Sequence, residues 1–125
     1  MSLAEDRRKD RRVILGPGHA ISFRLKGMEY REVRITNLGT GGCFALVGAR
    51  EAARFTRGAV VEGLVFLHPD LPRGVLQATV SFVLEEGPGR GAFDLAGIGL
   101  QFMAMDEATL RALEGWTDAA LAPRV

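Results

Sequence analysis

Cysteine, tryptophan and tyrosine each occur once in this 125-residue chain, and histidine only twice. A single cysteine, Cys43, cannot form an internal disulfide, which excludes a disulfide-stapled framework. No apolar run approaches the roughly 18 residues that a membrane helix needs, so no membrane insertion is expected. The first dozen residues lack the apolar stretch of a signal peptide, and the cytoplasm is the expected compartment. His19 and His68, with one cysteine and carboxylates at no familiar ligand spacing, make a poor metal set, and none is expected. Cys43 has no base placed beside it in any recognisable pattern, so packing is its expected role. Glu85 and Glu86 are adjacent and would point in different directions on a strand. With neither a nucleophile–base pair nor an acid–base pair, the chain is not expected to be an enzyme.

What the chain has is glycine and a local concentration of charge. Sixteen glycines against five prolines favour a turn-rich fold of short elements, and the length suits one domain. A hydrophobic content of 47% is enough for an ordinary core. The formal net charge is +1, yet Arg7, Arg8, Lys9, Arg11 and Arg12 crowd into six positions. A protein that coats a nucleic-acid backbone spreads its positive charge and interleaves it with aromatics. Here the cations are local and Tyr30 belongs to no recognisable aromatic pair, so no nucleic acid is expected as partner. The run reads as a local anion contact.

Residues 1–12 form a basic leader, 13–121 the domain and 122–125 a tail. Within the domain, strand patterns run over Ala20–Leu25, Glu29–Thr36, Gly42–Val47, Ala59–Leu67, Val75–Glu85 and Gly97–Phe102. Lys26-Gly27 offers a tight turn between the first two. In Val75–Glu85, strict alternation sets Leu76, Ala78, Val80, Phe82 and Leu84 on one face. In Gly97–Phe102, Ile98, Leu100 and Phe102 share a face. From Asp106, a plausible N-cap, the period changes to that of a helix reaching about Ala120, with Leu110, Leu113 and Trp116 or Thr117 along its seam. Crossover helices are missing between the strands, which excludes a doubly wound sheet. The fold expected is mainly β: a small, six-stranded, mostly antiparallel barrel with a C-terminal helix.

The stretch TNLGTGGCFALV, Thr36 to Val47, places glycines at 39, 41 and 42 directly after a strand. It is no dinucleotide fingerprint, because the sixth position from Gly39 is Phe44 and the continuation is β-like. It has no Gly-Lys-Ser/Thr ending of a P-loop. The plainest reading is a strand-to-strand turn that needs positive φ. Such a turn can also meet a ligand, since its N–H groups are unshielded and Asn37 carries both a donor and an acceptor. It lacks positive charge, which only the leader supplies in concentrated form. Arginine pairs with phosphate bidentately and stacks on flat bases, so a flexible basic leader can clamp a nucleotide against a barrel rim.

Arg8 and Arg12, in an R-x-x-x-R arrangement after Arg7, resemble the first motif of the PilZ domain family. Asn37-Leu38-Gly39-Thr40-Gly41-Gly42 resembles its second motif, Asp/Asn-x-Ser-x-x-Gly. GIGLQF, Gly97 to Phe102, resembles a characteristic final barrel strand, and a helix follows it. The resemblance covers nearly the whole chain, about residues 6–121. It implies a six-stranded barrel that binds cyclic di-GMP, often as a stacked pair of molecules. It implies that Arg8 and Arg12, assisted by Arg7, contact phosphates and guanines. Asn37 would read a guanine edge, while Gly39, Gly41 and Gly42 approach the ligand from the rim. The implied output is changed contact with an effector protein not yet identified, by a monomer or weak dimer, with no catalytic step and no resident cofactor.

The sequence departs from the motif at Gly39, where the family has serine. A lost hydrogen bond to a charged group costs about 1.5–3 kcal/mol. The expectations that follow are weakened binding, rescue by backbone N–H groups or water, or a degenerate protein-interaction module acting in motility or pilus regulation. In a weakened receptor, Gly39→Ser is expected to raise affinity.

Overall fold

The protein is described by a computed structural model covering residues 11–85 and 94–123. Arg7 and Arg8 lie outside those residues. In chain order the described elements are β1 (Val13–Ile14), β2 (Ala20–Leu25), β3 (Met28–Leu38), β4 (Gly42–Gly48), a 3-10 helix (Ala49–Arg54), β5 (Val60–Phe66), β6 (Leu76–Glu85), β7 (Leu95–Phe102) and α1 (Glu107–Leu121).

The strands pair in the order β1-β3-β2-β5-β6-β7-β4, and β4 pairs back onto β3. Strands β2 to β7 thus form a closed, six-stranded antiparallel barrel, with β1 as an extra strand along the last two residues of β3. The expected barrel and terminal helix are both borne out. Closure removes exposed sheet edges, which small all-β chains otherwise have to protect.

The barrel interior follows period two. Cys43, Ala45 and Val47 on β4 face inward, as do Ala96, Ile98, Leu100 and Phe102 on β7. The β2–β3 hairpin turns on Lys26 and Gly27, with φ of 51° and 80°, which is the two-residue turn whose twist suits antiparallel strands.

Both barrel ends are covered. At one end, the 3-10 helix brings Phe55 inward against Phe23 and Tyr30, with ring centroids 6.0 and 5.2 Å away. Tyr30 and Phe23 themselves stack at 5.3 Å. Tyr30 therefore belongs to a buried aromatic cluster, contrary to its isolated look in sequence. Burial and the hydrogen bond from its hydroxyl to Glu51 push the Tyr30 phenol above its usual range.

At the other end lies α1. Asp106 caps it by accepting from the Thr109 N–H at 2.7 Å. Its inward stripe is Thr109, Leu113 and Thr117, spaced by four, with Leu110 and Trp116 half-buried at the flanks. Thr117 is tolerated there because its hydroxyl donates to the Leu113 carbonyl at 2.8 Å. The helix approaches the barrel closely: a Cβ on Gly74 would stand 2.8 Å from the Thr109 Oγ1.

Strand β6 departs from the alternation expected of it. Val80 pairs with Leu100 and Phe82 with Gly99, so Ser81 is an extra residue, a bulge. The Ser81 hydroxyl donates to the Gly99 carbonyl at 3.0 Å. Past the bulge the faces exchange. Val83 turns inward, and Phe82 and Leu84 face outward instead of joining Val80 in the core.

A candidate ligand rim where the leader meets the β3–β4 turn

Strands β3 and β4 are joined by Gly39, Thr40 and Gly41, closed by a hydrogen bond from the Gly39 N–H to the Gly42 carbonyl at 2.9 Å. Gly41 is held to the barrel by its carbonyl, which accepts from the Phe102 N–H at 2.9 Å. Neither Gly39 nor Gly42 has a positive φ, so left-handed backbone is not the reason for glycine at these positions. That expectation is corrected by what lies against them.

A Cβ on Gly39 would run into the Arg11 carbonyl oxygen and stand 3.1 Å from the Arg12 Cδ. One on Gly42 would overlap the Leu100 carbonyl and stand 3.3 Å from an Arg12 guanidinium nitrogen. The glycines are therefore needed for close approach: the leader's last residues lie directly on the turn. The Arg12 Nη1 donates to the Asn37 Oδ1 at 2.8 Å, joining residues 25 apart in sequence. Among the described residues, then, Arg12, Asn37, Gly39 and Gly42 come together, with Gly41 exposed at the tip of the same turn.

Arg11 points the other way, toward α1, and pairs with Asp118 at 3.2 Å. Beside that pair is a cleft of about 170 Å³ lined by Arg11, Thr40, Glu114, Thr117 and Asp118. Its two carboxylates make it a poor seat for an anion. The Arg12 side, where the exposed guanidinium meets half-buried Asn37 with no carboxylate among these contacts, is the better one. Arg11 carried no separate role in the sequence reading, and nothing local to it marks a contact 107 residues away.

Asn37 lies between two strands. It pairs with Ile14 on β1 and with Phe44 on β4; Phe44 pairs with Gly99, and Gly99 with Phe82. Cross-strand partners share a face, so Ile14, Asn37, Phe44, Gly99 and Phe82 form one outward row over five strands. The Phe44 and Phe82 ring centroids are 5.8 Å apart. Sequence reading missed this row because the bulge at Ser81 reverses Phe82. A usable signal was present in Gly97 and Gly99: two outward glycines on one strand imply something lying over them.

Cys43 faces inward beneath the same turn. Burial pushes its thiol up to about 12, against a smaller opposing pull from Arg12. A thiol so protonated is no nucleophile at neutral pH. Among the described residues no three His, Cys, Asp or Glu side chains are grouped to hold a metal, and no helix is long and apolar enough to cross a membrane. The two histidines stack on each other, with centroids 4.2 Å apart, on the β1–β2 and β5–β6 connections.

No family model matches the chain, and no curated protein matches it. Solved structures do. The PilZ domain of YcgR from Escherichia coli, with c-di-GMP, superposes with a TM-score of 0.67 at 15% identity, over 87% of this chain and 87% of that one. MrkH from K. pneumonia matches as its c-di-GMP complex (TM-score 0.69, 18% identity, 88% of this chain and 51% of that one). It also matches in its apo state (TM-score 0.73, 16% identity, 88% and 47%). The chain spans about half the length of the MrkH chains it matches. At these identities the likeness is one of fold, and that fold is the PilZ fold.

Proposed function

We propose that the chain is a non-catalytic receptor or adaptor for cyclic di-GMP, in which the basic leader closes over the nucleotide at the barrel rim and alters contact with a partner protein. The observation that carries this reading is the 2.8 Å hydrogen bond from Arg12 to Asn37, which joins the leader to the turn. A guanidinium held there by a neutral amide keeps its charge and remaining N–H groups for a phosphate or a guanine edge. Gly39 and Gly42 let Arg11 and Arg12 seat directly on the turn, and Gly41 stays exposed at its tip. Arg7 and Arg8 would complete the clamp from the leader. The PilZ domain of YcgR and MrkH, whose fold the chain shares, are both known with c-di-GMP.

Calorimetric titration with cyclic di-GMP, with cyclic di-AMP and GTP as controls, tests the reading. Saturable binding selective for cyclic di-GMP, weakened by Arg8→Ala and Arg12→Ala, is the expected result. A folded sample that binds nothing at about 100 μM ligand would sink it. The chain would then be a PilZ-fold module for protein contacts alone.

A further inference from the structure

We infer that His19 and His68 form a proton-sensitive clasp, which ties the β1–β2 connection to the β5–β6 connection and opens on acidification. The inference stands on contacts of its own and does not depend on the nucleotide reading above.

Strands β2 and β5 pair with Ile21 opposite Phe66, and the Leu67 N–H continues that ladder to the Ala20 carbonyl at 3.0 Å. His19 and His68 are the next pair in the same register, just past the ends of the two strands. Their rings are parallel within 6°, with centroids 4.2 Å apart, and both residues are half-buried. Each is also held by its own backbone. The His19 carbonyl accepts from the Ile35 N–H at 3.0 Å. The His68 carbonyl accepts from the N–H of Leu71 at 3.1 Å, and buried Leu71 anchors that turn to the core.

The hydrogen bonds assign the protons. The Asp70 N–H donates to the His68 Nδ1 at 3.1 Å, so that nitrogen carries no proton and the ring is neutral. The His19 Nδ1 faces the Gly16 carbonyl at 3.4 Å; a carbonyl only accepts, so this nitrogen is the donor. A proton added to the His68 Nδ1 sets two N–H groups against each other. The Asp70 carboxylate, 3.9 Å from the same nitrogen, offers the charged ring a different partner. One nitrogen thus stands between an N–H that needs it bare and a carboxylate that needs it protonated, which gives the turn two states. His19 adds a second opposition. With both imidazoles charged, two cations would stand 4.2 Å apart in a half-buried place, and the stack separates.

Among the described residues, Asp70 is the charged group in polar contact with either ring. Arg34, across the ladder from Ala20, and Arg73, on the β5–β6 connection, are both exposed. Where α1 meets that connection at Gly74, its first two charged side chains, Glu107 and Arg111, pair with each other. Histidine ordinarily changes charge between about pH 5 and 8, so the clasp is closed at the upper end of that range and open at the lower. Opening frees the connection that follows β1, the strand through which the leader joins the barrel.

Hydrogen–deuterium exchange of the full chain from about pH 8 to about pH 5, corrected for the intrinsic rate at each pH, tests the clasp, with NMR of the imidazole protons to follow charge. The Leu67 amide, bonded beside the stack, reports opening, and the Phe102 amide, bonded to the Gly41 carbonyl, is the reference. The expected result is that Leu67 protection falls on the order of tenfold as the imidazoles gain charge, while Phe102 holds. In His68→Phe the stack keeps an aromatic ring that takes no proton, and the fall should disappear. Level Leu67 protection in the wild type while both imidazoles charge overturns the clasp. So does a fall that persists undiminished in a folded His68→Phe chain, and so does an equal fall at Leu67 and Phe102, which is the mark of global unfolding.

Discussion

The Arg11 carbonyl oxygen occupies the space that a side chain on Gly39 would take. The residue that departs from the PilZ-like motif is therefore also the one on which the leader rests. Gly39→Ser would restore a hydroxyl and, in the same stroke, lift the leader off the turn. We expect hydrogen–deuterium exchange at Leu15, whose N–H bonds to the Thr36 carbonyl at 2.9 Å, to speed up in this variant. We expect calorimetry to show a gain in cyclic di-GMP affinity smaller than the tenfold or more that about 1.5–3 kcal/mol would give. Unchanged exchange with a full gain would contradict the packing described.

Arg12→Ala removes a hydrogen bond between exposed side chains, so its effect on folding should be small. A surface change of at most about 0.5 kcal/mol shifts the melting temperature by only about 2 °C in a domain of this size. Affinity for cyclic di-GMP should meanwhile fall by on the order of tenfold or more. A thermal melt and a titration on the same sample separate the two effects.

Cys43 should resist thiol reagents at pH 8 in the native protein and react once urea unfolds it, as a colorimetric thiol assay would register. Its native pKa, raised to about 12 chiefly by burial, lies above the unfolded value of about 8.5. A raised pKa contributes stability that is fully present below the unfolded value. That contribution is lost as pH rises from about 8.5 toward 12. The raised Tyr30 phenol acts in the same direction. Melting temperature should therefore drop on the alkaline side, and less steeply in Cys43→Ala.

Asp106→Ala should lower the melting temperature near neutrality, because it removes the cap on the first turn of α1. Hydrogen bonds from the Thr109 backbone and hydroxyl hold the Asp106 carboxyl below its usual range. A depressed pKa gives stability above the unfolded value, about 3.9, and loses it as pH falls through the folded one. The gap between variant and wild type should accordingly narrow in melts taken below about pH 4.

The barrel was legible because period two survives in β4 and β7, and because Asp106 marks a change to helical spacing. What escaped was set by tertiary contact. One extra residue at Ser81 reverses two large side chains, and no local propensity announces a bulge. Phe55 and Tyr30 meet only after a 3-10 turn folds over the barrel end. At the rim, the glycine cluster was recognisable as special, but the cause proposed for it was wrong. Positive φ is a property of the chain alone, whereas room for Arg11 and Arg12 depends on a segment 25 or more residues away.

β1 comprises two residues, and it joins the leader to the barrel through two ladder positions, Val13 with Leu38 and Ile14 with Asn37. So short a strand can fray while the six-stranded closure stays intact, since local openings require far less free energy than global unfolding. Val13 and Ile14 can thus unpair from β3 without opening the barrel. Arg11 and Arg12, next in the chain, can leave the turn by the same opening while the core stays packed and the domain stays far from denaturation.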